Sequence, residues 1–446
     1  MLRKKIDMKW NTSAQVLLLT LLLGATPAQA ETEIDSATPS ATISPWSFSG
    51  YGTLGYSHEN KDDFNFVRDL GQKAVSPRHG TWRTDSRIGL QAAYRFSPQT
   101  DAVVQVVARD KDGATLGNAI EWAYLSHRPS ENWNLHFGRL GIDVFLLSDY
   151  RNLGYAQTTV RPNVDFYGFM PIYALDGLDA IYTLNTDAGR WAFKSQFGRT
   201  QTNIPIVTGE TYDFVGDNFF DFTVTHESGP WRFKTGYATM KFANEAPFAD
   251  LFGPLAGIAA LGVPGVSNEA AGLLDGMSFK GGRVEYLSLG ASYDDGTWLA
   301  QGEVSKISGN RQIYPQGTAA YLNIGRRFGS FTPYASLSGF RPAESAVTAQ
   351  SDWATVLADP LDPTAGPIAG FLQGVYIDAI NSARIDQHTF SLGVRWDFHP
   401  QAALKLQWDR VHIHENGYGL WQPMPGASLA GDDRVNLITT TVDWVF

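Results

Sequence analysis

The strongest constraint in this chain is an alternation that scarcely stops between residue 46 and the last residue. In WRTDSRIGLQAAYRF (82–96), Ile88, Leu90, Ala92, Tyr94 and Phe96 hold even positions, while Arg83, Asp85, Arg87, Gln91 and Arg95 hold odd ones. In 401–409, Ala402, Leu404, Leu406 and Trp408 alternate with Ala403, Lys405, Gln407 and Asp409. A period of two means strands with one apolar and one polar face. The segments run to about 10–15 residues, against about 5–6 in ordinary globular sheets. A tilted strand that crosses a bilayer needs about 9–11.

Turn signals divide the chain into sixteen expected strands, near 46–57, 81–96, 99–110, 118–127, 132–141, 176–185, 189–200 and 213–227, then 230–242, 281–295, 297–308, 317–328, 330–340, 384–398, 401–414 and 432–446. Every second connection is short: SPQ, RPSEN, NTDAG, SGP, DDG, FGS and HPQ. Those between are mostly long: 58–80, 142–175, 201–212, 243–280, 341–383 and 415–431, with 111–117 and 309–316 of moderate length. Such an alternation puts the tight turns at one end of an antiparallel up-and-down barrel and the loops at the other. Aromatic residues flank the short turns, from Tyr94 and Phe96 through Trp133, Trp191, Trp231 and Trp298 to Trp396, Phe398, Trp444 and Phe446. Rings gathered at one level form a girdle at a membrane interface. A soluble β-sandwich or β-helix would explain neither the rings at the turns nor the one-sided loops. The fold class expected is an all-β transmembrane barrel.

The first thirty residues stand apart. Arg3, Lys4, Lys5 and Lys9 precede an apolar core from Val16 to Ala25, and Ala28-Gln29-Ala30 closes the stretch. This is the pattern of a bacterial secretory signal, too short in its core for a membrane anchor. Residues 31–45 read as a flexible polar leader, leaving 46–446 for the barrel. Removing 1–30 takes away four bases and one acid, so the net charge moves from −10 to −13. An acidic exported chain is a poor partner for nucleic acid. The absence of cysteine excludes a disulfide framework.

With its start at WSFSGYGTLGY and its end at DWVF, the chain resembles the general porins of the Gram-negative outer membrane over essentially the whole mature length. The run HFGRLGIDVFLLSDYRNLGYAQTTVRPNVDFYGF is similar to a subset of porin-like proteins. The resemblance implies a homotrimer in the outer membrane that passes small polar solutes or ions. It also implies a terminal strand read by the outer-membrane assembly machinery, with Trp444 and Phe446 as girdle and signal. In such porins the third long loop enters the barrel and narrows it. Here that loop is 142–175, which carries Asp143, Asp149, Asp165, Arg151 and Arg161. Family geometry sets a basic cluster opposite, for which Arg83 and Arg87 are the matching positions. Asp85 lies between them, and Arg109 and Glu121 belong to the same face. Placed on one strand, the two arginines would point the same way about 13 Å apart. A transverse field between them and the loop acids would orient polar solutes. The excess of acids suggests a weak preference for cations.

Other readings are thinner. His412 and His414 share one strand face and Glu415 follows, but no third metal ligand stands at a convincing spacing, so no metal is expected. GYGTLGY lacks the following helix a dinucleotide site requires. Neither a Gly-x-Ser-x-Gly elbow nor His-Glu-x-x-His occurs, and no cofactor or enzyme activity is expected. His58, His79 and His226 would be available to a barrel-borne hydrolase. The Ala-, Gly- and Pro-rich loops 243–280 and 341–383 could include short helices, cover the mouth or serve a receptor or adhesin.

Overall fold

Each alternating segment pairs with its neighbour in sequence, and the last closes on the first, giving a barrel of sixteen antiparallel strands. The computed structural model describes residues 44–73, 80–206, 210–246, 252–424 and 431–446. The expected signal peptide and nearly all of the polar leader lie outside the described residues. The staves are β1 (Trp46–Glu59), β2 (Arg87–Ser97), β3 (Thr100–Arg109), β4 (Ile120–His127), β5 (Trp133–Gly141), β6 (Ala174–Thr186), β7 (Gly189–Pro205) and β8 (Thr211–Ser228). They continue as β9 (Trp231–Phe242), β10 (Arg283–Asp294), β11 (Trp298–Gly309), β12 (Gly317–Arg326), β13 (Phe331–Pro342), β14 (Ile385–His399), β15 (Ala402–Tyr418) and β16 (Asp433–Val445). Among the described residues no helix is long and apolar enough to cross a membrane.

Short turns and long loops fall at opposite ends, as the alternation requires. Four of the short turns use glycine at positive φ, Gly189 (127°), Gly229 (54°), Gly296 (86°) and Gly329 (58°), where a side chain would be strained. The outward rank is apolar: Leu90, Phe137, Leu178, Leu289, Leu337 and Ile438 stand exposed on the wall. At the short-turn end the rings meet across strands, Trp46 with Tyr94 at 4.8 Å, Trp231 with Tyr293 at 4.8 Å and Phe331 with Trp396 at 5.6 Å. An apolar band edged by aromatics is the surface a bilayer demands of a barrel.

The seam explains the glycines of GYGTLGY. β1 pairs with β16, Gly52 opposite Trp444. Gly50 and Phe446 exchange both backbone hydrogen bonds, at 2.9 and 3.0 Å. A Cβ on Gly50 would collide with the Phe446 ring, and one on Gly52 with the Trp444 ring. The two terminal rings therefore lie flat over bare backbone and seal the last edge.

Differences from the expected strands have local causes. The second strand starts at Arg87, not at 81, because the preceding residues leave the ladder: Gly55 N–H donates to the Ser86 hydroxyl at 3.1 Å instead of to a carbonyl. In β8, Asn218 adopts φ 51°, and pairing with β9 slips between Thr239 and Lys241. This bulge reverses the inward parity, so Asp221 and Thr223 face the lumen below it and Tyr212 and Phe214 above it.

The lumen is not empty at its loop end. Inward-facing Phe214, Phe242, Tyr286, Tyr321 and Phe340 join Phe145, Phe166 and Tyr167 from 142–175 in one buried cluster. Outside, the long loops 243–280 and 341–383 carry helices α1 (Phe252–Ala260), α2 (Val266–Met277), α3 (Trp353–Val356) and α4 (Ala365–Asn381). They share their own apolar core around Trp353, Tyr376 and Leu273. Glu269 ties this cap together. Burial would raise its carboxyl, but donors from Ser351, Gln350 N–H, Gln373 and Trp353 hold it below the usual carboxylate range.

Candidate functional site: the narrowed lumen

The segment 142–175 is irregular backbone at membrane depth, and such backbone persists only where protein satisfies its polar groups. The barrel wall does this from both signs. Gln196 and Glu303 accept the N–H groups of Asp143 and Leu146 at 2.9 and 2.8 Å, and Gln407 accepts that of Val160 at 3.2 Å. Lys405 donates to the carbonyls of Gly154 and Thr159 at 2.7 and 3.0 Å. Arg395 donates to those of Tyr155 and Gln157 at 2.6 and 2.8 Å. Aromatic edges add packing, Phe145 on Tyr286 at 5.0 Å, Phe166 on Tyr321 at 5.1 Å and Phe169 on Phe340 at 5.6 Å.

The candidate charges divide. Arg83 is not on the wall: it lies before β2, with its side chain 60% exposed, and pairs with Asp110 at 2.7 Å. The reason is the early departure of 82–86 from the sheet, which removes the expected alignment with Arg87. Asp85 and Arg161 form a buried pair at 2.6 Å, and Arg161 also donates to the hydroxyls of Ser57 (3.2 Å) and Thr439 (2.6 Å) and reaches Asp409 at 3.5 Å. Arg87 is buried and donates to the carbonyls of Asn152 and Asp85. Arg109 stands 3.3 Å from both Asp69 and Glu121, its guanidinium 3.8 Å from the centre of the Tyr173 ring. Glu121 also accepts from the Asn152 amide at 2.6 Å.

Among the loop residues, Asp143 binds Lys234 and lies 3.5 Å from Lys194. Arg151 turns back on its own loop, donating to the carbonyls of Tyr167, Met170 and Ile172. Asp165 accepts from Ser338 at 2.7 Å, Thr389 at 3.1 Å and Gln387. Asp149 borders two cavities within the barrel. The expected polarity, basic wall against acidic loop, is therefore replaced by two pairings of opposite sense: loop Arg161 on wall Asp409 and on Asp85, which like Arg83 lies before β2 and not on the wall, and loop Asp143 on wall Lys194 and Lys234.

Cavities of about 280 and 310 Å³ lie beside the loop. They share Trp122, Gly141 and Asp149 in their linings and reach towards the short turns, past Arg190 and Glu227 in one and Phe446 in the other. Glu121 and the adjacent Trp122 both line the second because pairing of β3 with β4 slips at Gln105. Five carboxylates (Glu121, Asp143, Asp149, Asp179, Glu227) and four cations (Arg151, Arg190, Lys194, Arg232) border the two spaces. His136 adds a 2.8 Å contact to Asp179. Lys194, Lys234, Arg232 and Asp179 were not among the sequence candidates. Their signal was present: each is a charge on the rank opposite the outward aromatics and aliphatics of its strand, as Lys194 is to Phe193 and Lys234 to Phe233.

No protein-family model and no curated protein sequence matches the chain. Solved structures do. The outer-membrane expressed OmpT of Vibrio cholerae aligns with a TM-score of 0.50 at 11% identity, over 91% of this chain and 99% of that one. The anion-selective porin from Comamonas acidovorans aligns with a TM-score of 0.50 at 12% identity, over 90% of this chain and 99% of that one. At such identities the likeness is one of fold. The chain has the sixteen-stranded barrel fold of porins.

Proposed function

We propose that this protein is an outer-membrane channel for small hydrophilic solutes and ions, exported by its signal peptide, assembled through its terminal strand and working as a homotrimer. The observation that carries the reading is the course of 142–175 through the lumen, which leaves charge-lined space along the β1–β9 side. A loop that only closed a receptor's mouth would have no need of Asp143, Asp149, Asp179 and Lys194 around a cavity at this depth, since buried charge without water is costly. Its neighbours in fold include a porin, described as anion-selective. For this chain the five carboxylates against four cations favour weak cation preference instead.

In planar bilayers the purified protein is expected to give discrete conductance steps, and under a salt gradient a reversal potential of cation-selective sign. Anion-selective sign would overturn the preference while leaving the channel. A receptor reading draws support from the helical cap built by the two longest loops. Liposome swelling separates the two: a channel admits small sugars, and a barrel that is only a mount for its cap leaves the vesicles unswollen.

A further inference from the structure

The outer wall near the loop rim carries a cluster with no part in the lumen. His388 on β14 pairs directly across from His412 on β15. His414 follows two residues on, so all three imidazoles stand on the same outward face. One ring nitrogen from each lies within 4.8 Å of the others. Ring centres are separated by 4.9 Å (His388 and His412), 5.4 Å (His388 and His414) and 4.5 Å (His412 and His414). A carboxylate completes the group. Asp432 Oδ2 lies 3.1 Å from His412 Nε2 and 3.5 Å from His414 Nδ1. Its other oxygen accepts from the Glu415 N–H at 3.1 Å, which leaves Oδ2 directed at the imidazoles.

We infer that His388, His412, His414 and Asp432 form a binding site for a divalent transition metal of the Zn2+ class on the outer face of the barrel. Imidazole and carboxylate are the donors that borderline ions select, and three histidines with one carboxylate make a neutral-nitrogen set with a single negative charge. Zinc–nitrogen bonds of about 2.0–2.1 Å set tetrahedral donors about 3.3 Å apart. Nitrogens already within 4.8 Å reach that spacing by side-chain rotation, with the strand backbone in place. Nearby charge sets an upper limit to affinity: Arg434 stands opposite His412 on β16, and Arg410 precedes it on the same rank of β15. Further down the outward rank Phe390, Leu392 and Leu406 mark the apolar band, so the site lies at the band's loop-side margin. A bound ion would pin β14 and β15 to the segment entering β16. The inference rests on the fold and is independent of the channel reading.

The test uses the full untagged barrel in detergent, stripped with a chelator and titrated with Zn2+ by calorimetry and with Co2+ by visible absorption. One saturable Zn2+ per chain and the intense absorption of tetrahedral Co2+ are expected. His388→Ala and His412→Ala should each weaken Zn2+ binding by about tenfold or more, and Asp432→Asn by a smaller factor. Heat-modifiable gel migration checks that every variant is a folded barrel. The inference is overturned if folded wild type binds Zn2+ no more tightly than the folded His388→Ala/His412→Ala double variant.

Discussion

The two sides of the lumen differ in how they meet the same loop. On the side of β13–β16, 142–175 is stapled to the wall, and the cavity beside Arg161 and Asp165 amounts to about 30 Å³. On the side of β1–β9 the corresponding spaces are about 280 Å³, beside β4–β9, and 310 Å³, beside β1–β5. Charge does not separate the sides, since both carry acids and bases. Satisfaction does. Arg161, Lys405, Asp409 and Asp443 are buried and matched with one another or with hydrogen-bond partners, Lys405 to Asp443 at 3.1 Å. Arg190, Glu227 and Arg232 retain exposure on the other side. A charge closes a lumen when protein supplies its whole shell, and keeps one open when water must supply part of it.

The comparison breaks most severely if the staple is removed. Arg161→Ala would leave Asp85 and Asp409 buried without their cation, at a cost of about 3–5 kcal/mol. The loop should then leave the β13–β16 side, and single-channel conductance should rise several-fold. Should that variant fail to insert, Asp85→Asn and Asp409→Asn combined with Arg161→Met, which removes all three charges while keeping their bulk, should insert. Unchanged conductance in an inserted Arg161→Ala barrel would show that the sealed side is held by something else.

An intermediate effect is expected from Lys194→Glu on the open side. A change of two unit charges felt at about 7 Å in water amounts to about 1.2 kcal/mol, or about sevenfold in local cation concentration, and the permeability ratio should move towards cations. The shift should shrink sharply in 1 M salt, where the screening length is about 3 Å. A reversal potential insensitive to the substitution would mean that ions do not pass beside Lys194.

The smallest effect belongs to Asp165→Asn. It removes a charge like the others, but its carboxylate faces Ser338, Thr389 and Gln387 in the sealed half. Permeability ratio should move by less than about 1.5-fold, because no wide space borders it. A shift as large as that of Lys194→Glu would erase the distinction between the two sides.

Much of the fold was legible in the chain. All sixteen strands, the short turns between them and the pairing of first with last follow from alternation and loop length, which are local and repeated. Less of the site was. Arg83 was misplaced because alternation continues in WRTDSR while the backbone leaves the ladder, and the side-chain capping by Ser86 that ends pairing has no period to read. Asp143 and Arg161 were singled out in the loop, and so was Asp85, which Arg161 meets, but not Asp409, Lys194 or Lys234. Lys194 and Lys234 stood on legible inward ranks, yet which rank a loop residue reaches depends on where the loop crosses.

By itself, then, the sequence determined the staves, their inner and outer faces, and the end at which the rings gather. Tertiary structure decided which charges pair, which side of the lumen stays wide, and that His388 meets His412 from 24 positions away. The physical reason is range. Facing and pairing within a strand follow from a two-residue period, whereas contact across a lumen or between hairpins is set only when the barrel closes in one register.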